Sequence, residues 1–299
     1  MQELKNLLKS NNQLNYQILT SNIIKQTVKD KKHKEILLLL LQDRDRNFIR
    51  LNHNPQVYKR ICKYLELFRP VKSDKKLVRI GGENDGGYVL QEPKNSKTGG
   101  GIVISLGVSD YSPFDLEMAE LGFKVIQYDA SIEKAPYKHK NIIWHKKFIG
   151  AKDEGEFISL NTVIKENKLN KNDILQCDIE NFEWEMLENT DIAMLDEHFS
   201  QIIFEFHGLN PEENEGFSKR IKILEKLNEY FIPIHLHFNN HGKIFYSNGL
   251  FHSTTAELSY VRKKDLKNLD FVEEIDSSLD YPTFLANPEI PIKFLRKKC

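Results

Sequence analysis

No apolar run in this 299-residue sequence is longer than the one from Ile36 to Leu41, far short of the roughly 20 residues a helix needs to cross a bilayer. The opening residues MQELKNLLKS lack the basic-then-apolar layout of a secretory signal, so no membrane span is expected. Cysteine is scarce. Cys62, Cys177 and Cys299 are too far apart for a CxxC metal knuckle, and three cannot all pair with one another; this suits a reducing compartment and makes the cytoplasm the expected location. An excess of one charge is also missing. Lys+Arg and Asp+Glu both number 43, so no global field draws the chain toward nucleic acid or an anionic membrane, and nucleic acid is not an expected partner.

Glycine is absent from residues 1–70, where Pro55 is the only proline before Pro70. Apolar residues there recur at helical spacing, in ELKNLLK, KEILLLLLQDRDRNFIRL and YKRICKYLELF. We read 1–76 as a helical N-terminal region. The apolar face of the second segment is wider than a lone surface helix needs, so it packs either on the rest of the chain or on a second subunit, which leaves room for a homo-oligomer through these helices.

After Pro70 the texture changes to short β-rich runs alternating with helical stretches. GIVISLG, KVIQYDAS, NIIWHKKFIG, DILQCDIE, QIIFEFHG, IPIHLHFNN and TAELSYVRK read as seven strands. SPFDLEMAELG, EFISLNTVIKENKL, EWEMLENTD and NEGFSKRIKILEKLNEYF read as the helices between them. The alternation predicts an α/β catalytic domain over 77–299: a Rossmann-like, mostly parallel seven-stranded sheet with helices on both faces, closed by an antiparallel return.

In such a sheet the ligand lies beyond the carboxyl ends of the strands, where the strand order reverses. The first strand ends in SLGVSD, where Gly107 permits a sharp turn close to a ligand and Ser109 or Ser112 can cap the next helix. The second ends in QYDAS. Asp129 and the adjoining Ala130 follow Gly107 at the spacing of an acidic residue that binds ribose hydroxyls; the plainer role for Asp129 is to cap its own turn. A dinucleotide would need G-x-G-x-x-G for its pyrophosphate, and Gly107 is the only glycine in SLGVSDYSPF. S-adenosylmethionine has no phosphate, and acidic groups such as Asp110 complement its sulfonium. The fourth strand delivers Asp178 and Glu180 on one face before a helix starts; Glu183 and Glu185 read as acids complementing that helix's dipole.

At these residues the chain resembles the FkbM-like methyltransferases and the related methyltransferase-like family. The resemblance is carried by RIGGENDGGYVL, ISLGVSDYSPFDLEMAELGFKVIQYDAS, ILQCDIENFEWEML, QIIFEFHGL and AELSYVRKKDL, in that order over residues 79–266. It implies a class I fold using S-adenosylmethionine, with Gly107 and Asp129 at the cofactor, Asp178 near the methyl donor, and a hydroxyl of a sugar, glycan or small metabolite as acceptor. Where the family usually has glycine after Glu180 this chain has Asn181, a residue that also tolerates left-handed backbone. The helical region 1–70 has no counterpart in the family pattern.

An alcohol is a poor nucleophile until a base or a metal weakens its hold on the proton. His207, after FEF, is the first candidate for the base, with Asp178 and His237 as further catalytic candidates. Glu180, Glu205, His235, Asn239 and Asn240 are expected to bind the acceptor. A divalent metal held by Asp178, Glu205 and His207 is compatible with these residue types, although a site dominated by histidine suits magnesium or manganese poorly. The glycine-rich turn with Asn84, Asp85, Gly86 and Gly87 is either a plain hairpin or a cover over the cofactor, Asp85 and Gly86 contacting its methionine portion. Two other readings compete: an NAD-dependent oxidoreductase, opposed by the missing glycines, and a non-catalytic cofactor-binding or assembly module, which would bind the cofactor without turnover.

Overall fold

A computed structural model describes residues 2–42, 49–83, 85–93 and 100–295. Asn84 and the 43–48 part of the second helical segment lie outside the described residues. The chain starts with α1 (Gln2–Thr27) and α2 (Lys31–Leu40). Asp30 caps α2, its carboxylate accepting the His33 amide at 2.8 Å. The sequence pattern extends this helix through FIRL, but Ile49–Leu51 is instead a strand, β1, because its backbone finds a partner further along the chain. Next, α3 (Pro55–Leu67) begins at Asn54 with proline in its first turn. Ile24, Leu37, Ile61 and Phe68 on these helices are buried in the same core as Phe204 and Phe206 of the central sheet. The wide apolar face of α2 is thus covered within the chain, whereas Leu4, Leu7, Leu8 and Leu14 on α1 stay exposed.

A hairpin of β2 (Leu77–Ile80) and β3 (Tyr88–Gln91) precedes the central sheet. The sheet is then built from β4 (Ile102–Leu106), α4 (Pro113–Glu120), β5 (Lys124–Tyr128) and β6 (Ile142–His145). The small strands β7 (Phe148–Gly150) and β8 (Phe157–Ser159) follow, then α5 (Leu160–Glu166) and β9 (Asp173–Cys177). Helices α6 (Glu183–Glu188) and α7 (Ile192–His198) lead to β10 (Phe199–Phe206), and α8 (Asn214–Tyr230) to β11 (Phe231–Phe238). A second hairpin, β12 (Ile244–Ser247) and β13 (Leu250–Ser253), comes before β14 (Ala256–Arg262).

The seven-stranded sheet has the order β11-β14-β10-β9-β4-β5-β6. β14 is antiparallel to both neighbours, while the pairs from β10 across to β6 are parallel. This is the Rossmann-like sheet and antiparallel return expected from the sequence. The core strands β9 and β10 are buried along almost their whole length, polar residues included. From β4 the chain steps outward to β5 and later returns to β9 on the other side, so the order reverses between β4 and β9. Two segments differ in detail from the sequence reading. NIIWHKKFIG divides into β6 and β7, and the start of EFISLNTV is β8, which pairs with β7 before Ser159 caps α5. The β12–β13 hairpin turns at Asn248 and Gly249, both with positive φ, and β1 adds to it as a third strand.

After β14 the chain runs back over the outer strand. Val71 bridges Phe271, and Ile290 and Phe294 enter the core. This C-terminal strap determines the surroundings of several histidines on β11.

Candidate active site

The carboxyl ends of β4, β5 and β9 open into a crevice of about 570 Å³, the position dictated by the reversal in strand order. Its floor is the Gly107 turn. Gly107 has φ +77°, its amide donates to Tyr128 O at 3.1 Å, and a Cβ there would lie 1.6 Å from Asp178 O. Only glycine lets β4 and the end of β9 approach this closely. Asp129 closes the same turn from β5. One carboxylate oxygen accepts the amides of Val108 and Ser109 at 2.8 and 2.9 Å, and the other accepts the Ser131 amide and hydroxyl at 2.7 and 2.6 Å. Burial works to raise the Asp129 pKa, but the bonds from Ser131, Ser109 and Val108 outweigh it and hold the group below the usual carboxylate value.

Around this polar floor stands a rim of aromatic rings. Tyr111, Phe148, Phe157 and Phe182 line the crevice and are all substantially exposed. Large exposed rings gathered at a cleft mark a surface that meets a flat or apolar ligand. Asp85, Gly86 and Tyr88 from the β2–β3 hairpin form the opposite lip, so the glycine-rich turn does lie over the crevice. Ser112 starts α4 without a side-chain cap bond and donates instead to Asp115, which is buried beneath the floor and also accepts Ser105 and Gln127.

Beside the crevice lies a second, acidic cluster. Asp178 and Glu180 leave β9 through a left-handed turn, with φ +53° at Glu180 and +80° at Asn181, so asparagine keeps the turn for which the family uses glycine. Glu183, in the first turn of α6, is fully buried. Its Oε1 accepts the Ile179 amide at 3.0 Å and pairs with His207 Nδ1 at 3.1 Å. Trp184 Nε1 donates to His207 O at 2.7 Å and fixes that residue's backbone. The other ring nitrogen, His207 Nε2, faces Glu180 Oε2 at 3.6 Å, Glu205 Oε1 at 3.7 Å and Asp178 Oδ1 at 3.9 Å.

The electrostatics are those of too many acids for the available cations. Burial pushes Asp178 up to about 7; His207 pulls it down, while Glu183, Glu180 and Asp85 push it further up. Burial raises Glu205 well above the ordinary range, and the charges of Asp178, Glu257 and Asp85 add to this. Burial disfavours the charged form of His207, but the hydrogen bond and charge of Glu183, with Asp178 and Glu180, overcome it and raise the pKa to about 9. In the ladder Glu205 sits directly opposite Glu257, and Glu257 opposite His237. Like charges opposed on neighbouring strands repel.

Of the residues picked out from the sequence, Asp85, Gly86, Gly107, Ser109, Asp129, Asp178 and Glu180 come together as the crevice wall. Asp110 and Ala130 adjoin it in the chain but are not among the lining residues. Glu205 and His207 stand behind Asp178, in the acidic cluster. The acceptor candidates His235 and Asn240 and the catalytic candidate His237, on and just after β11, are engaged elsewhere. His235 Nε2 meets Asp280 at 2.7 Å, His237 lies between Glu257 at 3.3 Å and Glu289 at 3.0 Å, and Asn240 holds the main chain of Phe284 and Asn287. These side chains fasten the C-terminal strap, whose course no local pattern announces. Asn239 donates to Glu205 at 2.9 Å and so buttresses the cluster from behind. The sequence reading missed two acids. Glu183 looked like a dipole acid but grips His207, and Glu257 carries a carboxylate into the fully buried strand β14, an anomaly visible in AELSYV.

Comparison with known proteins agrees with this geometry. The methyltransferase FkbM domain profile matches residues 83–232. Probable methyltransferase-like protein 24 of Rattus norvegicus is 30% identical over 115 residues, covering 34% of this chain and 32% of that protein. The Homo sapiens protein of the same name is 30% identical over 115 residues, covering 34% of this chain and 31% of its own. The matched stretch thus spans about a third of the length of these curated relatives. Among solved structures, a fibrillarin/Nop5p complex chain aligns at 12% identity over 54% of this chain and 72% of that one, with a TM-score of 0.35. The Methanococcus jannaschii fibrillarin pre-rRNA processing protein aligns at 15% identity over 64% and 83%, with a TM-score of 0.34. The profile match covers half of the chain and takes in Gly107, Asp129 and Asp178: the chain belongs to the methyltransferase FkbM domain family.

Proposed function

We propose that this protein transfers the methyl group of S-adenosylmethionine to a hydroxyl on a sugar, glycan or other small metabolite. The observation that carries the reading is the pair of hydrogen bonds, 2.8 and 2.9 Å, by which Asp129 grips the turn after Gly107 at the reversal of strand order. Asp129 is the acceptor for the ribose hydroxyls. Each of its oxygens already accepts two hydrogen bonds, so a ribose hydroxyl takes the place of the rotatable Ser131 hydroxyl, not of the fixed amides. The aromatic rim receives the adenine ring. The Asp85–Gly86 lip and Asp178 face the methionine portion, where negative charge favours the sulfonium.

Methyl transfer is an in-line displacement. The acceptor oxygen's lone pair forms the new O–C bond as the C–S bond breaks, its electrons go to sulfur to give S-adenosylhomocysteine, and the hydroxyl proton passes to a base. Asp178 is the group placed for that role, because it lines the crevice and its Oδ1 has no hydrogen-bond partner among the described residues. His207 does not line the crevice, and its Nδ1 is engaged by the buried Glu183 carboxylate at 3.1 Å. We therefore assign His207 to holding the carboxylates in place rather than to removing the proton.

Calorimetric titration of S-adenosylhomocysteine is the first test. Micromolar binding that Asp129→Ala abolishes is expected, followed by transfer of labelled methyl from S-adenosylmethionine to a panel of polyhydroxylated acceptors. Absence of binding by any adenosyl ligand, or nicotinamide dinucleotide binding in its place, would end this reading.

A further inference from the structure

The acidic cluster is more than an accumulation of charge. His207 is held at Nδ1 by a fully buried carboxylate, Glu183 Oε1, at 3.1 Å, which directs Nε2 away from α6. Carboxylate-to-histidine pairs of this kind commonly orient an imidazole whose second nitrogen binds a metal. That second nitrogen points into three carboxylate oxygens, two from the turn after β9 and one from β10: Glu180 at 3.6 Å, Asp178 at 3.9 Å and Glu205 at 3.7 Å. These separations are too long for hydrogen bonds. They lie between the roughly 3 Å and 4.3 Å that separate adjacent and opposite donors around a cation with bonds of about 2.1 Å. One donor atom each from Asp178, Glu180 and His207 lies within 4.8 Å of the other two. Independently, Asp178 Oδ1 is buried and has no hydrogen-bond partner among the described residues, although it is a charged acceptor aimed into the cluster.

We propose that Asp178, Glu180 and His207 form a divalent-cation site, oriented by Glu183, backed by Glu205 and placed beside the methyl-transfer crevice. Two carboxylate oxygens and one imidazole, with the Glu205 carboxylate behind them, make a hard, oxygen-dominated donor set, which favours Mn²⁺ or Mg²⁺ over the soft metals that thiolates select. The sequence alone left open a set dominated by histidine; the fold supplies Glu180 and turns His235 and His237 to the strap, so carboxylates dominate. A dication cancels most of the charge of three carboxylates that otherwise repel one another. Its position next to Asp178 lets an acceptor hydroxyl use it as a Lewis acid while the proton leaves. The catalytic part of this inference rests on the proposed methyl transfer; the binding part does not.

The test is Mn²⁺ binding to the full chain, read by electron paramagnetic resonance and calorimetry without turnover. One site saturating below 1 mM is expected (about 10⁻³ M being the weak end of protein cation sites), weakened at least tenfold by Asp178→Asn or Glu180→Gln. Loss of the orienting carboxylate in Glu183→Gln should weaken it about 10–100-fold. Glu188→Gln, on the exposed side of α6, should bind like the parent. No saturable binding, or binding indifferent to both Asp178→Asn and Glu180→Gln, overturns the site. If those variants do not fold, paramagnetic broadening of the His207 ring signals in the parent supports it, and broadening confined to other histidines overturns it. Titrating S-adenosylhomocysteine in chelator separates the two proposals. Cofactor binding with no Mn²⁺ binding overturns the cation site alone, while Mn²⁺ binding with no cofactor binding supports the site and overturns its catalytic role.

Discussion

The two halves of the candidate site are built on opposite principles. Around Asp129 every carboxylate lone pair is used by backbone amides or Ser131, so the half is rigid and satisfied before any ligand arrives. Around Asp178 buried oxygens of Asp178 and Glu183 lack hydrogen-bond partners among the described residues, and carboxylates outnumber the histidines that face them. A binding platform gains from being preorganised. A reacting centre often keeps uncompensated charge, at a cost in stability, so that something else can complete it.

The sharpest way to break the contrast is Gly107→Ala, which touches both halves at once. Its Cβ would collide with Asp178 O at a positive φ, and a destabilisation on the order of 4 kcal/mol is expected from strain and clash. Urea unfolding and loss of S-adenosylhomocysteine binding measure it. His252 gives an internal reference, since it lies on neither half. It is buried against Tyr64 and meets Leu209 O at 2.7 Å, and burial lowers its pKa to about 4. Its folded pKa is below the unfolded value near 6.5, so the unfolded chain takes up the proton first. Stability is therefore full above pH 6.5 and falls by about 3 kcal/mol as pH drops to 4. The pH dependence of unfolding should show this slope in the parent and lack it in His252→Gln.

Asp129→Asn tests the satisfied half: exchanging a carboxylate that accepts four bonds for an amide should cost about 2 kcal/mol and weaken S-adenosylhomocysteine at least tenfold. Asp178→Asn should move stability the other way. With a folded pKa near 7, raised from its ordinary value, Asp178 carries a charge that destabilises the fold above pH 7. At pH 8 in chelator the variant should gain about 1 kcal/mol while methyl transfer is lost, and a loss of stability there would refute the contrast. Glu180→Gln, with its side chain 83% exposed, should alter unfolding by less than about 0.5 kcal/mol and reveal itself only in Mn²⁺ binding.

Legibility in the sequence followed the same division. Gly107 and Asp129 were readable because a turn and a strand end are local, and their spacing follows from one βαβ unit. Asp178 was readable as an acid delivered by an apolar strand. That Glu183 and Glu205 meet at His207 was not, since they come from α6 and β10, whose adjacency depends on sheet order. His235 was expected on the acceptor and His237 among the catalytic groups. Only the returning strap, which brings Asp280 and Glu289 to them, decided otherwise.

The sequence by itself determined the seven strands of the central sheet, the end of the sheet at which the crevice opens and the placing of Gly107 and Asp129 at adjoining strand ends, because apolar periodicity and turn chemistry act over a few residues. Tertiary structure alone decided that α2 is covered within the chain, that β11 serves the C-terminal strap and that four acids converge on one imidazole. Such contacts join residues far apart in sequence, and their geometry exists only once the strands have taken their order.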